Sequence, residues 1–238
     1  MLLPAPAALV VAHPGHELRL FHWLELDRPT VFVLTDGSGR SGRSRVQSTR
    51  AVLAAIGCAE GSVMGRFTDA EVYRAIMEGD VRGVAEVTCE LRGALASFRT
   101  VVFDAMELYN PAHDLCHVMA SLAASPSIER YVYAVVDAPG EGITLALDDT
   151  AFERKMAMAH RYEDLSTDID ELTSKIGTDA LRHEVFYRPS PTAEKKPYYE
   201  IRGEEQVRAG KYRSVLRYRE HFVPFMNALA ASQQPEDE

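Results

Sequence analysis

The chain has 238 residues, 46% of them hydrophobic and 26% charged, enough to bury one full core and better suited to a single domain than to two small ones. Its 35 acidic against 26 basic side chains give a net charge of −9, which excludes the broad basic surface that nucleic-acid binding requires. No apolar run approaches the roughly 20 residues of a membrane-spanning helix, which excludes a helical membrane protein.

Ala8–Ala12 is an all-apolar run bounded by prolines, as in a buried parallel strand. Glu17–Leu26 spaces Leu18, Leu20, Phe21, Leu24 and Leu26 along a helical stripe, with Trp23 expected in the core, and Thr30–Thr35 reads as a second buried strand. Asp36-Gly37-Ser38-Gly39 then opens a Ser-rich loop carrying Arg40, Arg43 and Arg45, suited to an anionic or sugar-like ligand. A helix follows from about Ser44 to Ile56, where Gly57 stops it. The alternation continues through a helix over Val81–Leu95, a strand over Thr100–Ala105, a helix starting near His113, a strand over Tyr131–Val136 and a helix over Asp149–Tyr162. This order predicts a single Rossmann-like α/β domain, a mostly parallel sheet with helices on both faces.

His183–Tyr187 reads as a further strand. Residues 188–211, rich in proline and charge, are expected as a loop or lid whose Tyr198 and Tyr199 close over a site or mediate self-association. A C-terminal helix over 212–231 and a polar, frayed tail over 233–238 complete the reading. No repeat or linker divides the chain. Cys58, Cys89 and Cys116 form no Cys-x-x-Cys pair, and the apolar start Met1–Val11 lacks the basic lead of a cleaved signal, so the expected location is cytoplasmic.

Sheets of this kind bind ligands beyond the carboxyl ends of their strands. Four of the eight histidines fall there, in two short windows: His13 and His16 after the first strand, and His113 and His117 after the strand over Thr100–Ala105. Two imidazoles three residues apart at a strand-to-helix turn can converge on one ion, and His113 and His117 share one face of a helix. Imidazole suits zinc and similar ions, and three protein ligands with one open position is the catalytic arrangement. Cys116 is expected to pack, Asp114 to sit in a first helical turn, and Glu17 to orient a ligand or cap a helix.

The pattern Ala12-His13-Pro14-x-x-Glu17, helix, strand, Thr35-Asp36-Gly37 resembles the PIG-L/LmbE-type zinc-dependent N-deacetylases, whose motifs read Ala-His-Pro-Asp-Asp-Glu and His-x-Asp-His. The resemblance extends to Arg45, Ile56-Gly57, Asp69, Lys155 and Glu184-Val185-Phe186. It implies that His13, His16 and His113 hold zinc, with His16 standing where the family has Asp. The family's general base falls on Gly15, the first His of its second motif on Asn110, and the Asp of that motif on Ala112. The implied metal ligands are therefore kept while the usual proton-transfer groups are absent, and a positioned base is worth about 10²–10⁴-fold in rate. Glu107 and His117 are the candidate replacements, and Arg45 and Asn110 the candidate substrate-binding residues.

The expected function is that of a metal-dependent hydrolase acting on the C–N bond of an N-acyl or amide group in a small polar molecule. The alternatives are a metalloenzyme of another class (lyase, isomerase or oxidative) and a non-catalytic metal- or ligand-binding protein. The partners expected are a small-molecule substrate and, in a homo-oligomer, a second copy of the chain.

Overall fold

The structure is a computed structural model that describes residues 2–39, 42–136, 141–162, 165, 177–190 and 195–234. In chain order, β1 (Ala7–Val11) leads through a short 3₁₀ helix (His16–Leu20) into α1 (Phe21–Asp27) and β2 (Thr30–Thr35). Next come α2 (Val46–Ile56), β3 (Glu60–Phe67), α3 (Asp69–Glu78), α4 (Arg82–Leu95), β4 (Thr100–Asp104), α5 (Pro111–Ala123) and β5 (Glu129–Tyr133). The chain continues with β6 (Ile143–Ala146), α6 (Asp149–Arg161), β7 (His183–Phe186), α7 (Tyr198–Arg208), a π turn (Tyr218–Phe222) and α8 (Val223–Ser232).

Five strands form one parallel sheet in the order β3-β2-β1-β4-β5. β1 and β4 are buried at every position because helices cover both faces. Ala8, Val10, Phe32, Val101 and Phe103 face one core, shared with α3, α4, α5 and α8. Leu9, Val11, Val31, Val33 and Val102 face the other, against Leu20, Trp23, Leu24 and Leu53. The expected α/β domain is thus present. The chain winds outward from β1 through β2 to β3, then crosses to β4 on the other side of β1. That reversal opens a crevice beyond the carboxyl ends of β1 and β4, the usual ligand position in such sheets.

Three elements went unpredicted. β3 carries Gly61, Gly65, Arg66 and only one fully buried side chain, as an irregular edge strand does. α3 starts at a capping box between Thr68 and Glu71, a signal present in the sequence. β6 pairs antiparallel with β7, and among the described residues this two-stranded sheet meets the main sheet through the bridge between Val132 and Tyr187.

The loop expected over 188–211 requires correction, because Tyr198–Arg208 is helical and its Tyr199, Gly203 and Gln206 are buried along one face. Residues 191–194 of that stretch lie outside the described residues. The helix expected over 212–231 is also shorter. It begins with the π turn at Tyr218 and becomes α-helical at Val223, since Pro224 lacks the N–H that a longer upstream helix would use. Gln233 is not frayed: its amide accepts from Arg92 Nη2 at 2.8 Å and donates to the Ala85 carbonyl at 3.2 Å. Residues 235–238 lie outside the described residues.

A buried ion pair ties the β6–β7 sheet to the rest of the domain. The Glu184 carboxylate accepts from the backbone N–H groups of His22 and Trp23 in the first turn of α1, and from Lys155 Nζ at 2.8 Å. Lys155 also donates to the Arg19 carbonyl at 2.9 Å. Removing one member of a buried pair leaves an uncompensated charge. Lys155→Met is accordingly expected to lower unfolding free energy by about 3 kcal/mol in urea titration, and a loss below about 1 kcal/mol would contradict this role.

Candidate metal centre at the carboxyl ends of β1 and β4

The chain leaves β1 through Ala12-His13 and turns at Gly15, whose φ of 103° lies in the left-handed region. Gly15 N donates to Glu17 Oε2 at 2.7 Å, and Thr49 Oγ1 donates to Glu17 Oε1 at 2.8 Å, so Glu17 clamps the turn from beneath. Burial raises the Glu17 carboxyl to about 7, against the opposing effect of its Thr49 bond. A Cβ on Gly15 would come within 2.1 Å of Leu165 Cδ1. Any side chain there is strained by the left-handed backbone and needs the end of the Leu165 side chain to move aside.

The second window is built around another tight turn. Leu108, between β4 and α5, has a φ of 55° although it is not glycine. Asp114 holds it, its Oδ1 accepting from the N–H groups of Glu107 and Leu108 at 3.1 Å each. Burial raises Asp114 to about 7, with those two N–H groups opposing. Asn110 caps α5 by accepting from Ala112 N at 2.9 Å, and Pro111 occupies the first turn, so the helix starts two residues before the expected His113. His113 therefore projects from the first turn of α5 toward the end of β1.

These two turns bring His13, His16 and His113 together. Their ring centres lie 5.2 Å (His13–His16), 5.1 Å (His13–His113) and 4.5 Å (His16–His113) apart. Three imidazoles bound through ring nitrogens to one tetrahedral zinc, at Zn–N of roughly 2.0–2.1 Å, have centres about 5 Å apart. His16 Nδ1 meets Asp104 Oδ1 at 2.8 Å. His13 Nδ1 lies 2.7 Å from Thr35 Oγ1 and 3.1 Å from Asp69 Oδ1. The Thr35 contact is the aligned hydrogen bond, while Asp69 Oδ1 stands within ion-pair reach without one. His13 Nε2 and His113 Nδ1 are buried and have no partner.

Electrostatics favour neutral imidazoles beside ionised carboxylates. Burial lowers His16, with Asp104 opposing, and burial followed by the neighbouring His16 and His13 lowers His113 further. Burial alone would raise Asp104, yet His16 and the Tyr133 hydroxyl, 2.6 Å away, hold it well below the usual carboxylate range. Burial likewise opposes ionisation of Asp69, but His13 and the Gly39 N–H bring it to about 2. Neutral imidazoles whose Nδ1 face carboxylates are the form that metals bind. The donors thus fit a divalent ion in kind and spacing. Their rings pack edge to face, and among the described residues no three His, Cys, Asp or Glu side chains stand as they would around a bound metal ion.

Two cavities flank the histidines. One, of about 360 Å³, is lined by His16 and His113 with Leu18, Met156 and Leu165. The other, of about 420 Å³, is lined by His13, Asp69 and Asn110 with several tyrosines. Arg45 and Tyr109 line both. Arg45 is anchored by Nε to the Gly37 carbonyl at 2.7 Å. Of the other residues in its loop, Arg43 lies beside α2 and α6 instead, while Arg40 and Ser41 lie outside the described residues.

The replacement bases expected from sequence are committed elsewhere. Glu107 accepts from Val135 N at 3.2 Å and Val136 N at 2.7 Å, which joins the exits of β4 and β5, and it lines neither cavity. His117 donates from Nδ1 to the Asp104 carbonyl at 3.1 Å and packs its ring on Phe103, also away from both cavities. Cys116 and Trp23 are fully buried, as expected. Asp104 was missed. Its only sequence signal is a carboxylate ending an otherwise apolar strand.

No protein-family model matches the sequence, and no curated protein matches it. Two solved structures share the fold. One is teicoplanin deacetylase Orf2 in a zinc-inhibited form, with a TM-score of 0.52 and 12% identity over 87% of this chain and 94% of that one. The other is a deacetylase–teicoplanin complex from the teicoplanin biosynthesis pathway, with a TM-score of 0.53 and 13% identity over 78% and 99%. At this identity the likeness is one of fold.

The Glu17 clamp has a pH signature. Its folded pKa of about 7 exceeds its ordinary value of 4.5, so the folded state keeps a proton that the unfolded chain releases, and this contribution to stability declines as pH rises between those values. Glu17→Gln lacks the decline. Its stability relative to wild type should rise by roughly 3 kcal/mol across that window in urea unfolding of chelator-treated protein, and a pH-independent difference would contradict it.

Proposed function

We propose that the chain is a metal-dependent, deacetylase-like hydrolase that cleaves the C–N bond of an N-acyl or amide group on a small polar molecule. His13, His16 and His113 hold the divalent ion, with zinc the first candidate. The observation that carries this reading is the triangle of imidazoles, two buried and one half-buried, with centres 4.5 to 5.2 Å apart, in which His13 Nε2 has no partner inside the protein. The shared fold with two deacetylases supports the reaction class.

A divalent ion bound there supplies Lewis acidity toward an acyl carbonyl and toward water. The chain's own part is to hold two of the imidazoles, those of His13 and His16, in one tautomer. Donation from Nδ1 of His13 to Thr35, and of His16 to Asp104, directs both Nε2 lone pairs outward. Arg45 adds a fixed positive charge along both cavities, suited to negative charge developing on a carbonyl oxygen. Asn110, on the wall of the His13-side cavity, is the second substrate contact.

A second reading, a metal- or ligand-binding protein without turnover, is favoured by one feature. Leu165 sits where a side chain on residue 15 would point, and Glu107 and His117 are engaged with backbone groups.

Protein purified without chelators should carry one equivalent of divalent metal per chain by elemental analysis, and His13→Ala and His113→Ala should each lose it. Acetate release from a panel of small N-acetyl amines should stop on chelation and return with zinc. A wild type lacking stoichiometric metal defeats the proposal. Metal without turnover selects the binding reading.

A further inference from the structure

The cavity on the His13 side has a wall that hydrolysis does not require. Five tyrosines, Tyr73, Tyr109, Tyr198, Tyr199 and Tyr212, line it. Tyr198 N donates to the Leu108 carbonyl at 2.7 Å, which pins the start of α7 to the strained turn before α5. That contact lays the Tyr198 ring on Tyr109, with centres 4.8 Å apart and planes 9° from parallel. The two rings remain 46% and 38% exposed even so, and they present a flat aromatic face at the cavity wall. Deeper in, Tyr199 is only 6% exposed and its hydroxyl has no hydrogen-bond partner. A buried hydroxyl in that state has hydrogen-bonding capacity left over for a polar atom of a ligand.

The other polar side chains of this wall each have at least one group engaged. Arg45 Nε is on the Gly37 carbonyl, Asn110 Oδ1 on Ala112 N, Arg202 on Glu205 at 2.9 Å, and Asp69 on Gly39 N and beside His13. A ring dense in hydroxyls finds few side chains here to grip adjacent pairs. A flat ring with one polar substituent finds a stacking face and one waiting hydroxyl.

We propose that this cavity binds a hydroxylated aryl group, a phenol-like ring on the amine side of the N-acyl substrate, stacked against the Tyr109–Tyr198 pair and hydrogen-bonded to Tyr199. Calling the ligand a substrate rests on the hydrolase reading, whereas recognition of the ring involves no metal. The test is calorimetric titration of chelator-treated protein with N-acetyltyramine, with N-acetylethanolamine as the ringless comparator and N-acetylglucosamine as the hydroxyl-rich one.

N-acetyltyramine should bind saturably and at least about tenfold more tightly than either comparator. Tyr198→Ala should weaken it about tenfold, and Tyr199→Phe, which keeps the ring and its packing, about fivefold. Met156→Ala, on the opposite cavity, should leave it unchanged. No saturable binding, equal or tighter binding of a comparator, or unchanged affinity in either tyrosine variant overturns the proposal. Because these titrations are metal-free and read binding alone, a wild type that holds no metal or turns nothing over would leave them standing.

Discussion

The arrangement of this crevice depends on the carboxylate of Asp104. It is fully buried at the end of β4, where an unpaired charge would cost several kcal/mol. Its oxygens accept from the backbone N–H of Ala12 at the end of β1, from His16 Nδ1, and from the hydroxyl of Tyr133 at the end of β5. Three strand ends are thereby fixed to one point at the place where the strand order reverses. The same carboxylate sets the tautomer and direction of His16, and the backbone carbonyl of Asp104 takes the proton of His117. A single residue thus couples closure of the sheet to the aim of a candidate metal ligand.

Around that point, the groups proposed to hold a metal and those expected to transfer protons separate. Carboxylates stand behind two of the histidines, Asp104 under His16 and Asp69 near His13, and burial favours the neutral form of His16 and His113. On the Gly15 side the backbone is left-handed and Leu165 closes the space. The conformation that lets Gly15 N reach the Glu17 clamp is one a side chain there would strain. Glycine at this position is therefore built into the turn. Space for a ligand remains on both sides of the histidines, and α7 supplies the wall of the cavity beside His13.

Much of this was legible in sequence where burial alone fixes the answer. β1, β2 and β4 are continuous apolar runs because both faces of the sheet are covered, and the two histidine windows follow β1 and β4 directly. β3 was illegible because its glycines serve neighbours: a Cβ on Gly61 would enter the Phe32 ring, and Gly65 has a φ of 68°. α7 was hidden by the prolines and lysines before it, although Tyr199, Gly203 and Gln206 mark a buried face. Glu107 and His117 were placed near the site by chain position, but position does not disclose that backbone groups of other strands claim them first. Asp104 was overlooked because its partners come from residues 12, 16 and 133, far apart in the chain.

The account makes Asp104 the residue that prepares His16 for a metal. Zinc affinity measured by competition titration in wild type and in Asp104→Asn, each checked for native secondary structure by circular dichroism, tests it most directly. A weakening of about 10- to 100-fold in the variant is predicted. A folded Asp104→Asn protein that binds zinc as tightly as wild type would contradict it.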